Sequence, residues 1–140
     1  MKKILIVNAN YYKNISKKLI LSTKEKLNTN FKLNIINVPG IYEIPIAIRK
    51  NIKKYDGFVA LGCVIKGQTP HFDLICFSTF NSIINLSINF NKPIGNGIIT
   101  AYNMEQALQR CSNITSKKSN KGSEAANAVI SILQNGPKKI

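Results

Sequence analysis

The sequence predicts a doubly wound, parallel α/β sandwich. Three observations lead there. Segments of strand and helix character alternate along the 140 residues in the order βαβαβαβαα. The stretch 57–65 is almost continuously apolar, as a central parallel strand covered on both faces requires. The residue clusters able to do chemistry follow or end the strands, at the edge where such sheets bind ligands.

Taken in order, residues 4–9 predict a buried first strand. Met1-Lys2-Lys3 ahead of Ile4-Leu5-Ile6-Val7 starts like a secretory signal, but the apolar run stops at Asn8, too short for one. Residues 15–27 place Ile15, Leu19, Ile20 and Leu27 among lysines, the pattern of an amphipathic helix. Residues 31–38 alternate Phe31, Leu33 and Ile35 with Lys32 and Asn34, a second strand, and Pro39-Gly40 signals a turn. Residues 43–52 predict a short helix, with Pro45 tolerated only near its start. After the third strand, 69–90 is a long helix. Residues 94–100 form a fourth strand entered through Pro93. Residues 103–111 and 120–133 are helices on either side of a polar, lysine-bearing loop at 112–119. There is no internal repeat.

The length fits one domain spanning 1–140, large enough to bury a core without disulfide or metal staples. No stretch of about 18 apolar residues is present, which argues against a membrane span. Cys63, Cys76 and Cys111 are widely spaced with no CxxC pair. That favours reduced thiols in the cytoplasm over a disulfide frame or a metal site. The formal charge of +14, from 20 basic and 6 acidic residues, raises the question of a nucleic-acid partner. Lys, Asn and Ile fill the chain while Arg stands only at 49 and 110, a bias that A/T-rich codons produce. The lysine clusters do not interleave with aromatics as a base-stacking surface would. No nucleic-acid partner is expected.

Four segments meet at the carboxyl ends of the strands: Asn8-Ala9-Asn10-Tyr11-Tyr12, Val38-Pro39-Gly40-Ile41-Tyr42-Glu43, the run from Gly62 to His71, and Asn96-Gly97 within the fourth strand. In the third, Gly67 relaxes the backbone, Thr69 suits an N-cap and Pro70 the first helical position. Free N–H groups there and the helix dipole make an anion site. His71, the only histidine, then lies in the first turn, where it could transfer protons near neutral pH. The same residues equally suit a plain helix start beside a surface histidine. Cys63 and His71 could suggest a thiol nucleophile, but a cysteine within an apolar run is more often inert packing. GxGxxG and GxxxxGK[ST] are both absent, so dinucleotide and P-loop readings fail. Tyr11 and Tyr12 are either loop aromatics or platforms for a planar ring. Arg110 is either an oxyanion fork or a charge at a helix C-terminus.

Several blocks then resemble one family in order. Val38-Pro39-Gly40-Ile41-Tyr42-Glu43-Ile44-Pro45 is similar to the VPGxxEIP segment of lumazine synthases. Leu61 through Asp73 resembles their G-x-V-I-(R/K)-G-x-T-x-H-(F/Y) segment. Gly97-Ile98-Ile99-Thr100, the run from Glu105 to Arg110 and the run from Asn120 to Ala126 resemble the remaining blocks. The resemblance covers about 4–133. It implies a flavodoxin-like three-layer sandwich with a four-stranded parallel sheet. It also implies condensation of 5-amino-6-(D-ribitylamino)uracil with 3,4-dihydroxy-2-butanone 4-phosphate to 6,7-dimethyl-8-ribityllumazine, phosphate and water, without a cofactor. By the same resemblance, His71 is the proton-transfer residue, Gln68 and Thr69 hold the phosphate, and Tyr11 stacks on the pyrimidine. Ile41, Tyr42, Glu43, Cys63, Val64 and Ile65 line the pyrimidine and ribityl chain. The site is completed by an adjacent subunit, which supplies Arg110 to the phosphate and Lys121 beside it. Asn10 stands where an arginine often precedes the stacking aromatic, and Asn96 where the neighbour's phenylalanine usually covers the pyrimidine. The stretch 110–120 is longer than the compact kink of icosahedral members, and the chain starts almost at the first strand. Both features imply a homopentamer rather than a sixty-subunit shell.

Overall fold

A computed structural model describes residues 1–112 and 120–136. The elements are β1 (Lys3–Ala9), α1 (Lys13–Leu27), β2 (Lys32–Val38), a 3-10 turn (Ile41–Glu43), α2 (Ile44–Asn51), β3 (Gly57–Ile65), α3 (His71–Phe90), β4 (Ile94–Ala101), α4 (Met104–Gln109) and α5 (Lys121–Ile130), with a π turn (Ser131–Asn135) after α5. The polar loop expected at 112–119 lies, beyond Ser112, outside the described residues.

The four strands form one sheet in the order β2-β1-β3-β4, and every pairing is parallel. Side chains of successive strand residues point to opposite faces, so each central strand feeds two cores. On one face Ile4, Ile6, Val59 and Leu61 pack with Ile15 and Leu19 of α1 and Ala126 and Val129 of α5. On the other, Leu5, Val7, Phe58 and Ala60 pack with Ile44 and Ile48 of α2 and Ile83 of α3. The result is the expected α/β three-layer sandwich. With both faces covered, β1 and β3 have no polar side to show, which explains the apolar runs at 4–7 and 57–65.

Elsewhere the boundaries shift. Phe31 precedes β2 yet is buried against the α1 face. Ile35, whose alternation with Lys32 and Asn34 predicts an inward position, is 38% exposed. The reason is that β2 is an edge strand, where cover is incomplete. The short helix predicted at 43–52 is α2, starting at Ile44 with Pro45 in its first turn as expected, and Ile41–Glu43 make a separate 3-10 turn ahead of it; the missing N–H of Pro45 there leaves no bond unmade. Among the described residues no helix is long and apolar enough to cross a membrane.

Candidate active site

In this strand order the chain runs one way from β1 to β2 and the other way from β1 to β3. The carboxyl ends of β1 and β3 therefore form the switch point at which open α/β sheets leave a crevice. A cleft of about 500 Å3 opens there. Tyr11 enters it from the bend after β1. Ile41, Tyr42 and Glu43 come from the 3-10 turn after β2, Cys63, Val64 and Ile65 from the end of β3, and His71 from the first residue of α3. Gly62 permits this convergence: a Cβ there would lie 2.8 Å from Ile41 Cγ2 and 3.1 Å from Ala9 Cβ, so any side chain would push the turn away from β3.

The helix start differs slightly from expectation. Pro70, not Thr69, is the N-cap, and the first helical bond runs from Leu74 N–H to the Pro70 carbonyl at 3.2 Å. Thr69 still contributes, since its Oγ1 accepts from His71 N–H at 3.4 Å. The shift of one residue arises because Pro70, at φ −70° and ψ 3°, stops short of helical geometry. The N-terminus of a 20-residue helix faces the cleft region, favouring negative charge. Asp73 in the first turn offsets part of that field. Gln68 and Thr69 are exposed on the loop leading to His71 and do not line the cleft wall.

Three expected residues lie elsewhere. Asn96 is in β4 opposite Ala60, and its Oδ1 accepts from Ile98 N–H at 3.0 Å. Arg110 ends α4, its guanidinium donating to the Gln106 carbonyl at 3.0 Å. Lys121 opens α5, and its backbone N–H donates to the Arg110 carbonyl at 2.7 Å. That bond joins the end of α4 to the start of α5. Arg110 and Lys121 both line a second cleft, of about 260 Å3, with Phe80, Ile98, Thr100 and Glu124 along the β4 edge. Arg110 thus sits at a helix C-terminus, one of the two readings its position allowed, and also borders a cleft. Within one chain, Arg110 and Lys121 are apart from the candidates of the first cleft, and Gln68, Thr69 and Asn96 line neither.

Ala9, Tyr12 and Gly40, from the segments expected at this edge, complete the first cleft together with Ile75, which sequence reasoning did not single out. Ile75 was findable, since it lies four residues after His71 and so on the same helix face.

Cys63 is a free thiol, and burial, with a smaller contribution from nearby Cys111, pushes it up to about 12 from the ordinary 9.0. Burial and this shift both work against the thiolate that a nucleophilic role would need. At pH 7.5 its thiolate population is roughly a thousandfold below that of a free cysteine. Iodoacetamide added to the folded protein is expected to leave Cys63 unmodified while denatured protein is labelled there, as read by peptide mass spectrometry. Rapid labelling of Cys63 in the folded state would contradict the buried placement.

The fold and the cleft together define a protein of the open, parallel α/β class with a small-molecule-sized crevice at its switch point. Residues 1–135 match the family of 6,7-dimethyl-8-ribityllumazine synthase. The chain is 39% identical to the 6,7-dimethyl-8-ribityllumazine synthase of Campylobacter jejuni over 137 residues, covering 94% of this chain and 87% of that protein. It is 38% identical to that of Methylorubrum populi over 139 residues, covering 94% and 80%, and 37% identical to that of Afipia carboxidovorans over 140 residues, covering 94% and 84%. The chain belongs to the 6,7-dimethyl-8-ribityllumazine synthase family, transferases of riboflavin biosynthesis.

Proposed function

We propose that the protein condenses 5-amino-6-(D-ribitylamino)uracil with 3,4-dihydroxy-2-butanone 4-phosphate, giving 6,7-dimethyl-8-ribityllumazine, phosphate and water. The supporting observation is the convergence of residues from four separated segments (Tyr11, Ile41 to Glu43, Cys63 to Ile65, and His71) on one cleft. The 5-amino group of the pyrimidine attacks the ketone and a first water leaves as the imine forms; phosphate is then eliminated, and the ribityl-bearing nitrogen adds to the remaining carbonyl and closes the ring with loss of a second water. No step needs a metal or an organic cofactor. Most of the acceleration comes from holding two reactants together.

In this reading Tyr11 stacks on the pyrimidine, while Ile41, Tyr42, Glu43 and Cys63 to Ile65 line the ring and the ribityl chain. Gln68, Thr69 and the N-terminus of α3 receive the phosphate, and His71 moves the proton between the reacting groups. Arg110 and Lys121 border the β4-edge cleft of their own chain, so they act on the site of an adjacent copy, with Asn96 on the same strand facing that copy's pyrimidine. Head-to-tail contact of this kind closes into a ring. An unpaired edge at β4 and a row of exposed apolar residues on α3, namely Leu74, Phe77, Ile84 and Ile88, suit burial between copies. We take the ring to be a cytoplasmic homopentamer working on small molecules, with no nucleic-acid partner.

Two measurements test this. Purified protein given both substrates is expected to produce the fluorescent lumazine; folded protein that yields none would end the proposal. Sedimentation is expected to show a particle of five 15.6 kDa chains, and a megadalton shell would refute the pentamer.

A further inference from the structure

Tyr11 has little to hold it. Its side chain is 75% exposed in the bend between β1 and α1. Among the described residues its one ring contact is Tyr12, which meets it edge to face at 4.9 Å with 80° between the planes. Tyr11 also stands between two openings. It lines the cleft that contains His71 and, on its other side, a neighbouring cleft of about 570 Å3 bounded by Met104 and Leu108. A ring free to turn toward either opening is a poor platform, because ordering it on binding costs affinity.

Tyr12 borders the same two clefts but is held differently. It is partly buried and packs on the core beneath α1 that includes Ile15, Leu19 and Cys63. Its backbone is fixed as well. The Tyr12 carbonyl accepts from Ser16 N–H at 2.9 Å, and Ser16 Oγ donates back to the Ala9 carbonyl at 3.0 Å. Residues 9–16 thus form a closed turn with Tyr12 anchored at its centre. Burial, then Cys63 and Tyr11, push its phenol upward, so the ring stays neutral across the working pH range.

We propose that Tyr12 is a positioning residue: its anchored ring keeps Tyr11 at the mouth of the His71 cleft and stops it from turning fully into the Met104–Leu108 cleft. Tyr12 also borders the His71 cleft, but the role assigned to it is exercised through the placement of Tyr11, and the inference rests on the reading of Tyr11 as the platform for the pyrimidine.

The test compares wild type, Tyr12→Leu and Tyr12→Phe. Leucine keeps the apolar packing and removes the aromatic edge, whereas phenylalanine keeps the ring. Crystal structures are expected to show Tyr11 in place in wild type and Tyr12→Phe, and displaced or multiply oriented in Tyr12→Leu. In assays with both substrates, Tyr12→Leu is expected to raise KM for the pyrimidine about threefold to tenfold, in keeping with the loss of one aromatic pair. KM for the phosphate-bearing substrate should change by less than about twofold on the same reasoning, and Tyr12→Phe should recover most of the loss. Tyr11 unmoved in Tyr12→Leu overturns the proposal, as does an equal rise in both KM values or failure of phenylalanine to rescue. Absence of product from wild type would instead fail the functional reading, and the placement of the Tyr11 ring would still decide the role of Tyr12.

Discussion

Replacing His71 by alanine is expected to lower kcat about 10²- to 10³-fold, the usual loss when a positioned proton-transfer group is removed. The residue is exposed at the first turn of α3, so the substitution takes nothing from the core and the protein should remain folded. If His71 were only a surface residue at a helix start, kcat would not change. Arg110→Ala should also be nearly inactive, by loss of phosphate binding, and the two defects lie on different clefts of one chain. This leads to a sharper expectation. When the two inactive variants are unfolded together and refolded as mixed rings, about one quarter of the sites should pair an intact His71 with an intact Arg110 from the neighbour. Activity should then return to about that fraction. Were each site built within one chain, mixing would restore nothing.

The largest effect on stability is expected at Gly95. A Cβ added there would lie 2.2 Å from the Ala125 carbonyl oxygen, 2.8 Å from its carbon and 3.0 Å from Val129 Cγ2. The first two are backbone atoms of α5 and cannot rotate aside. Gly95→Ala therefore has to lift α5 off β4, and with it Ala125, Ala126 and Val129, which are at most 2% exposed. Overpacking that side chains can absorb costs about 1–3 kcal/mol; here the backbone must move, and a loss of about 3 kcal/mol or more is expected. That is a large part of the roughly 5–15 kcal/mol holding a domain together. Gly67→Ala is the control, since nothing lies within 4 Å of its Cβ position, and its change should stay within about 0.5 kcal/mol. Urea unfolding of the two variants gives the comparison. A Gly95→Ala protein as stable as wild type would mean that α5 does not lie against β4 as described.

The Gly95 contact is also the kind of fact that no local pattern discloses. In the sequence Gly95 and Gly97 are two small residues in a strand, compatible with a bulge or with nothing at all. Their reason lies in the close approach of a helix that begins 26 residues later. Similarly, the exposure of Ile35 depends on β2 being the last strand on its side, and alternation cannot distinguish an edge from a centre.

Local chemistry carried most of the rest. Apolar runs with a period of two or none mark strands, apolar residues with a period near 3.6 mark helices, and proline and glycine divide them. From those signals the parallel α/β class, all four strands and the helices between them could be read, because each depends on interactions within a few residues. The family blocks, read in order, pointed to the residues that line the main cleft. Only the tertiary structure decided how those residues are grouped. Strand order brings the ends of β1 and β3 together, so Tyr11, Ile41, Cys63 and His71 share one crevice, while the end of α4 and the start of α5 place Arg110 and Lys121 at another beside the edge strand β4. The physical reason is that strand order is set by long-range pairing and helix packing, which leave no local periodicity in the sequence.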